Sequence, residues 1–390
     1  MLKDFCYKGV KNQCCLKFRQ VCKGGSDMDN QVIGYNIRLW RKQKQLTQAQ
    51  LADIASISVQ AIKKIESGQT MPRSNTLRSI SKALNVKIHE LIRPVPELQA
   101  IRFRSCRMKN SVREFVIADI ARRLEDYTFL EKILDRSIPS HVGELRTLCS
   151  KSDLSGSAER VRDTLGFQLE FPILDIRNYL EAAGIKVLTI EFSVDNFFGL
   201  SIGEEDGGPA IVVNVSKNIT VERQIFSSVH ELAHLLLHPA AYNILLLEEK
   251  KSEEAEADEF AGYFLMPDAA FREAWEDSAG LLGLERVLKV KSLFGVSYKT
   301  VLYRLIKLGV TDQSVWKNFS LLFESKFKRK LGYCEEPFAL NPFLFSGERL
   351  QGLVREALEK DEISLDRGAE ILRISFEEMR DLCRSWKAVI

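Results

Sequence analysis

Five histidines occur in 390 residues, and three of them, His230, His234 and His238, fall within "HELAHLLLH". Imidazoles at i and i+4 share one face of a helix, so His230 and His234 can both turn a nitrogen toward one ion. Glu231 follows the first histidine and can reach a water held by that ion. An ion such as zinc lowers the pKa of its water toward neutrality, and a neighbouring carboxylate can take the proton as that water attacks a peptide carbonyl. The spacing therefore predicts His230 and His234 as metal ligands and Glu231 as general base.

His238 continues the spacing without joining the ligand set. Positions 230 to 238 span about 12 Å of helix at about 1.5 Å per residue, whereas metal–nitrogen bonds are only about 2 Å long. His238 is expected at the helix end, meeting the dipole or the last carbonyls. The third ligand must come from elsewhere, and "SEEAEADEFAGYFLMP" offers it. Ala257, Ala261 and Leu265 mark a buried stripe, and Glu254 and Asp258 lie on that stripe. Glu253, Glu256 and Glu259 suit a solvated face. Glu254 is the economical third ligand, with Glu256 the alternative. Asp258 would accept the other ring N–H of a ligand histidine.

These groups need a scaffold. "VERQIFSSVHELAHLLLH" reads as one amphipathic helix with Thr220 as its N-cap. Before it, "KVLTIEF", "FFGLSIGE" and "PAIVVNV" are short β-rich runs separated by polar or glycine turns. A helix in "DIRNYLEAAGI" leads into them. Residues 100–150 and the C-terminal region read as helical.

The paired motifs, HEXXH and then "EAEADEFAGYFLMP", resemble the ImmA/IrrE family of metallopeptidases. "PAIVVNVSKNITVERQIFSSV" and "FGVSYKTVLYRLIKLG" extend the likeness over roughly residues 155–310. The resemblance implies a gluzincin-like fold, with a small sheet beside the HEXXH helix and zinc, or manganese, as cofactor. It also implies cleavage of a partner protein, often a repressor of the phage type. Carried onto this chain, it makes His230, His234 and Glu254 the ligands and Glu231 the base. Ala233 departs from the glycine common at its position.

The front of the chain has another character. Residues 1–110 hold 21 Lys and Arg against 7 Asp and Glu, and the remainder 35 against 46. A basic front on an acidic body suggests that the front meets a polyanion. Its helices are short: "VIGYNIRLWRKQK", "LTQAQLADIA" with Thr47 and Gln50 as a capping box, "ISVQAIKKIESG" after Ser58, "SNTLRSISKALNV" and "KIHELI". "RPVPELQ" then reads as a linker. Residues 33–92 resemble the XRE family of helix-turn-helix proteins, which includes Cro and phage repressors. In such a module the second helix enters the major groove by its N-terminal end. Val59, Gln60, Lys63 and Lys64 are the exposed positions there, Gln able to read adenine and Lys guanine or phosphate, while Gln48 and Arg73 are candidate phosphate contacts. The implied partner is a double-stranded, pseudo-palindromic operator bound by a homodimer. The alternative use of such a module is protein contact.

No apolar run approaches the roughly 20 residues of a membrane helix, and the start lacks the apolar core of a secretory signal. A cytoplasmic protein is expected. Cys6, Cys14, Cys15 and Cys22 crowd the start without a CxxC pair, so a poorly ordered extension is expected there rather than a metal site or disulfide scaffold.

The expected fold is multidomain and mainly α with a small β-sheet. It comprises an extension (1–27), an all-α helix-turn-helix domain (28–96), a helical connector (97–154), an α+β gluzincin-like domain (155–310) and a helical C-terminal region (311–390). The expected function is that of a DNA-binding regulator whose zinc-dependent peptidase domain cleaves a repressor. The competing expectation is a non-catalytic repressor or antitoxin whose peptidase-like domain senses or binds a partner.

Overall fold

The computed structural model describes residues 25–103, 108, 110–167, 173, 175–192, 197–242, 250–332, 335–345, 347 and 349–388. The four cysteines of the extension, and most of the extension itself, lie outside the described residues. The chain divides into two compact units, one of residues up to 96 with 109–119, the other of residues 97–108 with 120–390.

The first unit is helical: α1 (Gly25–Gln43), α2 (Gln48–Ile54), α3 (Val59–Glu66), α4 (Ser74–Leu84) and α5 (Ile88–Ile92). The capping box predicted for α2 forms in full. Gln50 N donates to Thr47 Oγ1 at 3.2 Å and Thr47 N to Gln50 Oε1 at 2.8 Å. Ser58 caps α3 through Ala61 N at 3.1 Å. Ile33, Ile37, Leu51, Ile62, Ile65, Ile80, Leu84 and Leu91 form the core. At Gly34 a Cβ would lie 2.2 Å from the Ile65 carbonyl, so only glycine lets α1 cross α3 so closely. The crossing is locked by Arg41, whose Nε and Nη2 donate to Glu66 at 2.6 and 2.8 Å while Nη1 donates to the Leu46 carbonyl. A bidentate Arg–carboxylate pair of this kind fixes geometry as well as supplying energy.

The second unit begins with a strand that the sequence reading placed in a helical region. β1 (Ile101–Phe103) precedes α6 (Asn110–Leu134), residues 110–119 of which fall in the first unit, and then α7 (Val142–Thr147), α8 (Leu154–Thr164) and α9 (Ile176–Ala182). Then come β2 (Lys186–Ile190), β3 (Gly199–Ile202) and β4 (Ala210–Asn214), in the three predicted β-rich runs. The sheet order is β1-β3-β4-β2, with β2 parallel to β4 and β3 antiparallel to both neighbours. Buried Asn214 closes the β2–β3 connection by donating to the carbonyls of Phe192 and Phe197 at 2.7 and 2.9 Å.

α10 (Val221–Leu237) lies against β3 and β4, and α11 (Lys251–Leu265) packs along α10. α8 covers α11, where buried Arg162 donates to the Phe264 carbonyl at 2.7 Å, at a helix end that favours a cation. α12 (Asp268–Glu276), α13 (Gly283–Phe294), α14 (Tyr298–Lys307), α15 (Val315–Phe327), α16 (Arg349–Glu359), α17 (Leu365–Leu372) and α18 (Phe376–Ala388) follow. The core containing α10 and α11 continues through Phe319, Phe323 and Phe345.

Thr220 takes the N-cap position of α10 with an extended backbone but makes no side-chain capping bond. The first turn is anchored instead by Glu222, buried against Lys291 Nζ at 3.1 Å. Lys291 also pairs with Glu336 at 3.0 Å and donates to the Pro337 carbonyl at 2.7 Å. No described helix is long and apolar enough to cross a membrane.

Candidate metal centre and nucleic-acid surface

The helical period of α10 brings His230 Nε2 and His234 Nε2 to 2.9 Å from each other. α11 delivers Glu254 to the same point, with its carboxylate oxygens 3.5 Å from His230 Nε2 and 3.3 Å from His234 Nε2. Among the described residues these three are a group able to hold one ion, their ligand atoms all lying within 4.8 Å of one another. Both imidazoles are buried and the Glu254 side chain is 15 % exposed. Burial pushes the His234 imidazolium down to about 3 in spite of Glu254 beside it, so its ring is neutral at pH 7. Two imidazoles and a carboxylate converging on one point are a donor set that fits a divalent cation of the zinc type.

The surrounding groups set ring orientation. Asp258 Oδ1 lies 2.7 Å from His230 Nδ1. His234 Nδ1 faces His238 Nδ1 at 2.9 Å, and His238 Nε2 faces Glu256 Oε2 at 2.8 Å. His238 is indeed the C-cap of α10, yet its ring bonds the His234 ring rather than the last carbonyls. Glu256 stands behind His238, where it also meets Lys151 at 3.3 Å. Glu253, expected on a solvated face, has a side chain only 13 % exposed because it pairs with Arg102 at 2.8 Å.

Glu231 is buried and turned to the sheet. Ser201 Oγ donates to Glu231 Oε2 at 2.7 Å, and Tyr242 Oη donates to Ser201 Oγ at 2.8 Å. Burial pushes the Tyr242 hydroxyl far up, which keeps it a donor. A Cβ at Gly199 would lie 2.8 Å from the Val212 carbonyl and 3.4 Å from Glu231 Cγ, so glycine makes room for the carboxylate. Neither Ser201 nor Tyr242 belongs to the HEXXH pattern, and nothing in their local sequence marks them. Arg102 was missed as well. Its Nη2 lies 3.1 Å from Glu254 Oε1. Burial pulls its pKa down, but the bonds to Glu253 and Glu254 outweigh that and raise it.

In the first unit, Val59, Gln60, Lys63 and Lys64 are exposed on α3, with the two residues of the N-terminal turn leading. Arg73 is exposed at the start of α4 and makes no capping bond there. Gln48 is half-buried and donates to Glu66 Oε2 at 2.8 Å, which fixes its side chain against the Arg41–Glu66 pair.

Comparison with known families agrees with both halves. Residues 37–91 match the family model described as "Helix-turn-helix", and residues 180–306 match the one described as "IrrE N-terminal-like domain". The fold and the family matches define a DNA-binding regulator that carries a peptidase-like domain. More particularly, the chain is an XRE-type helix-turn-helix module fused to an ImmA/IrrE-like domain. No curated protein matches it. Among solved structures, ComR from Streptococcus suis aligns over 93% of this chain and 96% of its own at 12% identity, with a TM-score of 0.16. So low a score carries no argument about fold or function.

Proposed function

We propose that this protein is a transcriptional regulator whose ImmA/IrrE-like domain is a zinc-dependent endopeptidase that cleaves a partner protein, a repressor of the phage type. The observation that carries the reading is the convergence of His230, His234 and Glu254 on one point beside Glu231 in the sequence and helix. A zinc ion held by that set supplies a Lewis acid that polarises a carbonyl and acidifies water; manganese is the alternative. Glu231 takes the proton from the attacking water and passes it to the leaving amine. Ser201 and Tyr242 fix the rotation of the Glu231 carboxylate. Asp258 and His238 hold the two imidazoles so that each keeps Nε2 turned toward the ion. The basic helix-turn-helix unit places the regulator on an operator as a homodimer, Gln60 and its neighbours on α3 meeting base edges, and Gln48 and Arg73 meeting phosphate.

One observation favours a second reading, a non-catalytic repressor or antitoxin that senses or binds its partner. Glu231 is only 1% exposed, with Oε2 engaged by Ser201. The test is direct. Zinc-loaded protein incubated with repressors encoded beside its gene should yield defined fragments, and a chelator should stop the reaction. Repressors that stay intact yet form a stable complex would establish the second reading.

A further inference from the structure

The edge of β3 is the place where an extended chain can lie beside Glu231, and the protein's own β1 lies there. In an antiparallel pair, residues directly opposite each other project to the same face. Arg102 is opposite Ser201, with Ile101 opposite Ile202 and Phe103 opposite Leu200. Ser201 bonds Glu231, so the Ser201 face is the face of α10. Arg102 accordingly projects toward the metal centre and reaches Glu253 and Glu254, at 2.8 and 3.1 Å. Ile101 and Phe103 project to the opposite face, where both are buried and Phe103 stacks on Phe197 at 5.4 Å.

β1 lies outside the segment that matches the IrrE-like model, residues 180–306. It is three residues long, and the chain just before it is tied down at one turn. Asp206 accepts from Gln99 N at 2.9 Å and from Ala100 N at 2.8 Å, and Gly203 N donates to the Ala100 carbonyl at 2.6 Å. A strand edge offers its N–H and C=O groups to any extended peptide, with pockets for alternate side chains giving selectivity. β1 and a second peptide cannot use the β3 edge at once.

We propose that Ile101–Phe103 is a built-in occupant of the peptide seat at the metal centre. The seat takes an extended segment antiparallel to β3 with an apolar–basic–apolar pattern. The basic side chain is received by Glu253 and Glu254, and a substrate enters only when β1 leaves. The proposal rests on the peptidase reading of the site, and it adds both a substrate class and a reason for latency. Asp206 becomes the clasp of the strap, and it lies outside the proposed chemistry.

The experiment uses zinc-loaded full-length protein and an Ile-Arg-Phe peptide hydroxamate, with binding followed by calorimetry. Asp206→Ala removes charge-assisted bonds to two main-chain N–H groups and should tighten binding about tenfold or more. Arg102→Ala, which removes the strand's own pairing to Glu253 and Glu254, should tighten it too, and it serves if Asp206→Ala folds poorly. A hydroxamate with Asp in place of Arg should bind at least about tenfold more weakly to the Asp206→Ala protein, because like charges would meet at Glu253 and Glu254. Equal affinity for wild type and both variants overturns the proposal, as does indifference to the Arg-to-Asp change. The two readings fail separately. Tighter binding without cleavage of any repressor keeps the strap and removes the peptidase, whereas cleavage with unchanged binding removes the strap alone.

Discussion

The Nδ1 atoms of His234 and His238 lie 2.9 Å apart. A hydrogen bond between them requires one ring to carry the proton and the other to accept it. With His234 Nε2 turned to an ion, its Nδ1 bears the proton, His238 Nδ1 accepts, and His238 Nε2–H donates to Glu256. The relay fixes the tautomer of a proposed ligand from 22 residues away in sequence. His238→Ala should therefore weaken zinc binding by about 10- to 100-fold, as loss of such orienting partners does. Chelator competition measures this, and an unchanged affinity would remove His238 from the account.

Ligand and support should separate cleanly between neighbours on α11. Glu254→Gln should abolish binding of the one ion per chain, because it removes a charged donor. Glu256→Gln should weaken binding without abolishing it. Metal analysis of the two purified variants decides, and the reverse ranking would exchange their roles.

Much of this site was legible in the sequence. Periodicity places His230 and His234 on one face of α10, and the stripe on α11 singles out Glu254 and Asp258, although the Asp258 side chain stays 44 % exposed. The capping residues Thr47 and Ser58 mark the starts of α2 and α3, and the β-branched runs mark β2 to β4. What was illegible depends on pairs distant in sequence. β1 is three residues amid basic ones, too short for its alternation to register, and its partner β3 lies about a hundred residues on. Nothing in the sequence singles out Arg102, and Glu253 reads as solvated. Ser201 and Tyr242 reach Glu231 only because the sheet and the chain after α10 fold over it. His238 was placed correctly at the helix end, but the site of its ring depended on Glu256 arriving from the next helix.

The neutral state of buried His234 predicts a pH dependence of stability in the metal-free protein. Its folded pKa, about 3, lies below the unfolded value near 6.5. The unfolded chain then binds the extra proton first, so the stabilisation is complete above pH 6.5 and is lost as pH falls toward the folded value. Denaturant midpoints measured from pH 7 to pH 5, above most carboxylate titrations, should fall with pH. His234→Gln should flatten that slope, and an equally steep slope in the variant would contradict the assignment.

Lys291 holds two carboxylates in the core, Glu222 at the start of α10 and Glu336. Lys291→Met leaves both without their cation. Breaking a buried pair by removing one partner costs about 3–5 kcal/mol. Chemical denaturation should show a loss of that size, and a loss below about 1 kcal/mol would mean that the cluster behaves like a surface ion pair.

On DNA, the exposed residues of α3 and α4 should divide by role. Gln60→Ala should relax preference among operator sequences, at about 1–3 kcal/mol for a lost base contact. Arg73→Ala should weaken binding to all sequences alike and lessen the salt dependence. Binding titrations at several salt concentrations distinguish the two. Absence of binding to both operator and bulk DNA at low salt would point to protein contact instead.

The measurement that bears most directly on the whole account is cleavage by Glu231→Gln. Residue 231 leaves the helix about 100° from residue 230, so it is poorly placed to join both histidines on one ion. In the proposed mechanism its use is to move a proton, which hydrolysis needs and sensing does not. Removing a general base usually costs about 10²–10⁴ in rate. Glu231→Gln should keep zinc, fold and operator binding, and should lose cleavage of the partner repressor by that factor. A variant that cleaves the repressor at the wild-type rate would contradict the peptidase mechanism.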